Sequence, residues 1–213
     1  MIPDYQIKDV KIFNCDCMDF MKDIPDNFYD IAIIDTPYGI NFAKTHTGKG
    51  WVVRENKDWD KERPSKEYWE KLFRISKNQI IWGANYMTEF LPPSQGWIFW
   101  DKGQRNFSLA DGELAYTSFN RALRVFTLSR GAMHAEIPNK FHPTTKPIQL
   151  YRWLLENYVK KGWKILDTHG GSMTIGQACM DMDFDLDLCE IDLEYFNNGI
   201  ARLENNVQEY LDF

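Results

Sequence analysis

Asp30-Ile-Ala-Ile-Ile-Asp-Thr-Pro-Tyr-Gly39 is the stretch whose reading decides the fold. Its four consecutive apolar residues, Ile31 to Ile34, have the pattern of a strand buried on both faces, as in a parallel sheet. Asp35 stands where the strand stops, and Pro37 and Gly39 force an irregular turn. In open α/β sheets, ligands bind beyond the carboxyl ends of the strands. A carboxylate and the ring of Tyr38 are therefore offered where such folds do chemistry.

Outward from this stretch, strands and helices alternate. Residues 10–14 read as a strand, followed by a small helix with Met18, Phe20 and Met21 that stops before Pro25. Ser65 can cap a helix over 66–77, and Gln79-Ile-Ile-Trp-Gly83 is the next strand. The strand-like runs between 97 and 128 are joined without helices, which predicts an antiparallel edge hairpin. Pro147 suits the first position of a helix carrying Tyr151, Leu154, Leu155 and Tyr158, with Gly162 ending it. Strands at 164–167 and 186–189 flank a helix running through Met182, and Phe196, Ile200, Leu203 and Val207 mark a closing amphipathic helix. The pattern predicts an α/β, Rossmann-like fold: a mixed seven-stranded sheet with helices on both faces, in a single domain over 1–213.

Composition narrows the class. A hydrophobic content of 44% with mixed charge is ordinary for a soluble globular protein, and no run of about 18 apolar residues exists to span a membrane. The first residues, Met-Ile-Pro-Asp-Tyr-Gln, lack a basic segment followed by an apolar one, so a cytoplasmic location is expected. Cys15, Cys17, Cys179 and Cys189 lie in or beside apolar segments without disulfide or zinc spacing, and no metal site is expected. The net charge of -6 argues mildly against a nucleic-acid partner.

Local charge points the other way. Residues 40–63 lack periodicity and hold Lys44, Lys49 and Arg54 interleaved with Phe42, Trp51 and Trp59, a mixture suited to phosphate contacts and base stacking, although acids dilute it as they do in a solvated loop. Arg105 lies in a second polar loop, and Arg130 and Lys140 in a third at 129–141. These six cations are the candidate nucleic-acid contacts.

A second constellation lies late in the chain. Strand 164–167 leads into Asp167-Thr-His-Gly-Gly-Ser-Met-Thr174, then a helix, a strand and Glu190. Gly170 and Gly171 let backbone approach a ligand, and an acid about 20 residues on can reach a ribose diol. Asp167 at the strand end would repel a pyrophosphate but attract an ammonium group, so an adenosyl ligand with an amino-acid tail, S-adenosylmethionine, fits both features. Asp16 also closes a strand, where it suits a helix N-cap as well. His169 reads more simply as packing in the turn than as a catalytic base.

These motifs together resemble the β group of DNA amino-methyltransferases, in which the catalytic motif precedes the cofactor motif. Asp35-Thr-Pro-Tyr38 resembles D-P-P-Y, His142-Pro-Thr-Thr-Lys-Pro147 resembles H-P-T-x-K-P, and Asp167 to Thr174 resembles D-P-F-x-G-S-G-T. Glu190-Ile-Asp is similar to the acidic ribose motif, and Asn14-Cys-Asp-Cys17 to a G-D-C motif beside the adenine. The resemblance covers most of the chain and looks most like short phage-type adenine methylases.

It implies site-specific methylation of a flipped-out adenine at N6 in double-stranded DNA, with Asp35, Thr36, Pro37 and Tyr38 at the amine. Asp16, Cys17, Asp35, Thr145, Lys146, Asp167, His169, Gly170, Gly171, Ser172 and Glu190 would face S-adenosylmethionine, Lys146 near its carboxylate. Cytosine-N4 or RNA amine methylation, and a degenerate module that only binds nucleic acid or a partner, are the alternatives. The short 129–141 insert implies a brief recognition sequence or help from the 40–63 loop or a second subunit, as in a homodimer. Host modification, restriction protection and phage DNA marking would use the same parts; if phage-encoded, the protein would act in the host cytoplasm. Met173 replaces a family Gly, and Met takes a positive φ only at a cost.

Overall fold

A computed structural model describes residues 1–40, 60–106, 110–129, 131–133, 142 and 144–211, with side chains through 206. Among the described residues, nine strands form one sheet: β1 (Tyr5–Ile7), β2 (Val10–Phe13), β3 (Ile31–Asp35), β4 (Gln79–Trp82), β5 (Trp97–Asp101), β6 (Gly112–Thr117), β7 (Arg124–Thr127), β8 (Lys164–Asp167) and β9 (Asp185–Cys189). Their spatial order is β1-β2-β9-β8-β3-β4-β6-β5-β7. The expectation of seven strands is corrected by this count. The three residues of β1 fold back on β2, too few to register as a periodic run, and β7 closes the other edge. The middle strands give the expected antiparallel pair β5–β6, but β7 runs parallel to β5.

Five strands, β2, β9, β8, β3 and β4, are mutually parallel, so their carboxyl ends open on one edge. From β3 the chain proceeds through a helix to β4 on one side, and from β8 through another to β9 on the opposite side. The neighbours β3 and β8 thus form a topological switch point, where a crevice opens beyond the strand ends.

The four apolar residues of β3 divide between two cores. Ile31 and Ile33 face a layer built from α3 (Ile148–Tyr158), α4 (Thr174–Asp181) and α5 (Leu193–Leu211). Ala32 and Ile34 face α1 (Cys17–Lys22) and α2 (Lys66–Ile75), which supply Phe20, Met21, Tyr68, Trp69, Leu72 and Ile75. Ser65 does cap α2, accepting the Tyr68 N–H. Helix α3 starts one residue later than expected, with Pro147 as its N-cap, and ends at Tyr158; Gly162 instead makes the turn into β8 at φ +81°. Among the described residues, no helix is long and apolar enough to cross a membrane.

Met173 does adopt the left-handed conformation, with φ +53° and ψ +28°, immediately before α4. Its side chain is fully buried, and its thioether fills the space above Gly199 of α5. A Cβ on Gly199 would stand 2.5 Å from the Met173 sulfur. Burial of the side chain offsets backbone strain of about 1–2 kcal/mol, and the helix glycine has a packing reason.

Helix propensity alone favours Ala over Gly in α5 by about 1 kcal/mol, whereas overpacking costs about 1–3 kcal/mol. Gly199→Ala is therefore expected to lower the unfolding free energy. Urea denaturation of Gly199→Ala, Met173→Gly and the double variant checks this: the double variant should be more stable than the two single losses added together.

Candidate active site

Asp35 ends β3, and the turn after it is held from outside. The Oδ1 of Asp60 accepts the backbone N–H of Tyr38 at 2.7 Å and of Gly39 at 3.0 Å. Gly39 takes φ +71°. The ring of Tyr38 lies over Gly83 at the end of β4, where any Cβ would fall 2.0 Å from the ring. Tyr86, three residues on, stacks beside it with centroids 5.2 Å apart and planes 17° from parallel. Arg63 fastens Tyr86 in turn, donating to its carbonyl and pairing with Glu89 at 2.8 Å.

Both Asp35 oxygens are engaged. Oδ1 accepts the Tyr38 hydroxyl at 2.8 Å, and Oδ2 meets the Lys146 ammonium at 2.5 Å. Lys146 also lies 3.3 Å from Glu113 Oε2, and Lys102 holds Glu113 Oε1 at 2.6 Å. The Lys146 side chain is only 3% exposed, so two carboxylates compensate its desolvation. Burial alone would lower the Lys146 pKa, but Asp35 and Glu113 raise it, and the ammonium stays charged. Burial works against the Glu113 carboxylate too, yet Lys146 and Lys102 hold that carboxyl down at about 2. For Asp35, burial prevails over the pull of Lys146, and its carboxyl is raised.

The glycine turn begins one strand away, at the end of β8. A Cβ on Gly170 would lie 2.3 Å from a Leu188 methyl, so the turn packs closely on β9, and Gly171 takes φ +50° beside the His142 ring. Glu190 braces the turn: Oε2 accepts the Gly171 N–H at 2.6 Å and Oε1 the Asp192 N–H at 2.8 Å. Asp167 is buried and accepts the His169 N–H at 3.0 Å. Burial, reinforced by the charges of Asp35 and Glu190, pushes its carboxyl up to about 7. Burial also lowers the His169 imidazole to about 4, leaving it neutral near physiological pH. Its Nδ1 meets the Thr168 hydroxyl at 2.8 Å, which meets the Tyr68 hydroxyl at 2.6 Å.

Between the two turns lies a cavity of about 210 Å3, bordered by Pro37 from one motif, His169 from the other, and Cys17, Met18 and Tyr68. The fold thus brings together Asp35, Thr36, Pro37, Tyr38, Cys17, Lys146, Asp167, His169, Gly170, Gly171 and Glu190 around the switch point. Asp16 is exposed and caps α1 by accepting the Met18 N–H. Thr145 is buried with its hydroxyl on the His142 carbonyl, and the Ser172 hydroxyl lies 2.9 Å from that of Thr174. Arg105 pairs through two nitrogens with Asp101, both at 2.9 Å. Lys44, Lys49, Arg54, Arg130 and Lys140 lie outside the described residues, as do most of the 40–63 and 129–141 stretches.

Asp60, Glu113, Tyr68 and Tyr86 are site residues that sequence reasoning missed. Glu113 carried one usable signal, an acid within an otherwise apolar strand. Asp60 carried none, since it sits among charges of both signs.

Residues 115–202 match the model of the N6/N4 DNA methylase family. The comparison with curated proteins returns no match. Among solved structures, the M1.HpyAVI–SAM complex is similar at 19% identity and TM-score 0.62, over 91% of this chain and 99% of that one. The PvuII DNA methyltransferase, described as cytosine-N4-specific, is similar at 11% identity and TM-score 0.64, over 94% and 88%. TTHA0409 of Thermus thermophilus, complexed with S-adenosyl-L-methionine, is similar at 12% identity and TM-score 0.56, over 92% and 95%. Residues 115–202 of this chain are thus a DNA methylase family match of the N6/N4 kind, set within the fold of solved DNA methyltransferases.

Proposed function

We propose that this protein is an S-adenosylmethionine-dependent DNA methyltransferase acting on an exocyclic amine, the N6 of a flipped-out adenine. The observation that carries the reading is the placement of Asp35 and the Asp167 glycine turn on adjacent strand ends, with a cavity alongside that touches Pro37 of one motif and His169 of the other. The family match and the likeness to the M1.HpyAVI–SAM complex support it.

The residues suit the cofactor. Gly170 lets the turn pack closely on Leu188 and Gly171 takes the positive φ the turn needs, Glu190 can turn its carboxylate to a ribose diol, and Asp167 offers a buried acceptor to an ammonium. S-adenosylmethionine supplies, when bound, a methyl group on a positively charged sulfur.

The exocyclic amine of a purine is a poor nucleophile because its lone pair is delocalised into the ring. The Asp35 carboxylate and the Thr36 carbonyl can accept its two hydrogens and favour a pyramidal nitrogen, while Tyr38 offers a stacking surface to the extruded base. The nitrogen gives up one proton after transfer, and Asp35, its carboxyl raised by burial, is a fitting acceptor. Cytosine N4 presents the same pair of N–H groups; the resemblance to the adenine methylases, with Asp35 at the first motif position, is what favours adenine. Basic residues in 40–63 and 129–141 are the assigned DNA contacts, on their sequence alone.

Incubation with S-adenosylmethionine and unmethylated DNA, followed by nucleoside mass spectrometry, tests the substrate. N6-methyladenine is expected; N4-methylcytosine alone would replace adenine by cytosine, and no methylation despite cofactor binding would remove the DNA substrate.

Asp35→Asn should slow methylation by about 10²–10⁴-fold while S-adenosylhomocysteine still binds by calorimetry, because an amide is no proton acceptor.

Cofactor affinity should depend on pH through Asp167. The free carboxyl has a pKa of about 7. Binding an ammonium requires the ionised form, so below that pH binding must release a proton. Affinity for S-adenosylhomocysteine should therefore weaken as pH falls below 7, by up to about tenfold per unit. Calorimetry in buffers of different ionisation enthalpy measures the released proton, and Asp167→Asn should abolish the dependence.

A further inference from the structure

Asp35 meets an incoming amine with both oxygens already bonded, one to the Tyr38 hydroxyl and one to Lys146. A new N–H donor must either share an oxygen with one of these partners or displace it, and sharing Oδ2 would set the amine against the Lys146 ammonium. Tyr38 is fixed by its backbone bond to Asp60, by Gly83 beneath its ring and by the stacked Tyr86. Lys146 has a second acceptor within reach, Glu113 Oε2 at 3.3 Å. Glu113 is fixed on β6, with its other oxygen on Lys102.

We propose that Glu113 is a positioning residue for methyl transfer: it takes over the Lys146 ammonium when the target amine docks, freeing an Asp35 oxygen to accept the amine hydrogen. This rests on the amine-methyltransferase reading above. The four side chains carry two positive and two negative charges, so the exchange leaves the total charge of the cluster unchanged. It leaves Asp35 less neutralised when the attacking nitrogen becomes positive, the moment at which a nearby negative charge is most useful. Lys146 remains buried throughout, passing from one carboxylate to the other without crossing water.

The groups facing Asp35 are Lys146, Tyr38, Glu113, Asp167 and Tyr151. Of these, Glu113 raises the Asp35 carboxyl through charge repulsion. Removing its charge should lower that pKa and also leave Lys146 on Asp35. Removing Lys102 should do the reverse, because Glu113 then acts with its full charge.

The experiment is single-turnover methylation of unmethylated DNA by protein preloaded with S-adenosylmethionine, followed across pH. It is paired with a carboxyl-carbon NMR titration of Asp35 in the free protein. Glu113→Gln should reduce the plateau rate about tenfold or more and move the acid limb and the Asp35 titration to lower pH. Glu113→Asp, which keeps the charge, should retain the limb. Lys102→Met should move it to higher pH, and decides the matter alone if Glu113→Gln does not fold. A Glu113→Gln protein with the wild-type rate and limb overturns the inference. So does equal loss of rate in both Glu113 variants without a limb shift, or an unmoved limb in Lys102→Met. Wild-type protein that methylates no DNA would instead overturn the methyltransferase reading itself.

Discussion

A buried ammonium between two carboxylates organises this site. Lys146 precedes α3, Asp35 ends β3 and Glu113 belongs to β6, so the contact joins three parts of the chain far apart in sequence. An uncompensated buried cation would be strongly destabilising, so the ammonium requires its carboxylates and their strands to stay in place. The Asp35 carboxylate is thereby set at a fixed point on the sheet.

The sheet explains why the negative groups of the site converge. Parallel strands present their carboxyl ends together, and β3 and β8 part company at the switch point. Asp35 and Asp167 are neighbours for that reason, near enough for each charge to act on the other. Burial raises both carboxyls. Asp35 has a buried cation against it, whereas Asp167 has, among the described residues, a backbone N–H as its hydrogen-bond donor and a more distant Lys146, and its carboxyl rises to about 7.

Local departures from expectation have local compensation. Met173 in the left-handed conformation would be costly alone, but its side chain fills the hollow above Gly199 and joins the core shared by α4 and α5. The turn keeps the geometry a glycine would give it. Thr36, where Pro is usual in the resemblance, is buried with its hydroxyl against the Met87 sulfur, so the substitution is also absorbed by packing.

By itself, the sequence determined the α/β class, the apolar core strand, the capped α2 and the two motif turns. These depend on short-range periodicity, turn residues and strand-end acids, all of which lie within a few residues of each other. Only the tertiary structure decided the nine-strand count, the seat of Lys146, the bracing of Glu190 on Gly171 and the entry of Asp60, Glu113, Tyr68 and Tyr86 into the site. An edge strand of three residues, as β1 is, leaves little periodic signal. Partners separated by tens of residues are chosen by the geometry of the whole sheet and by the need to pair buried charge, neither of which is written in any one stretch of chain.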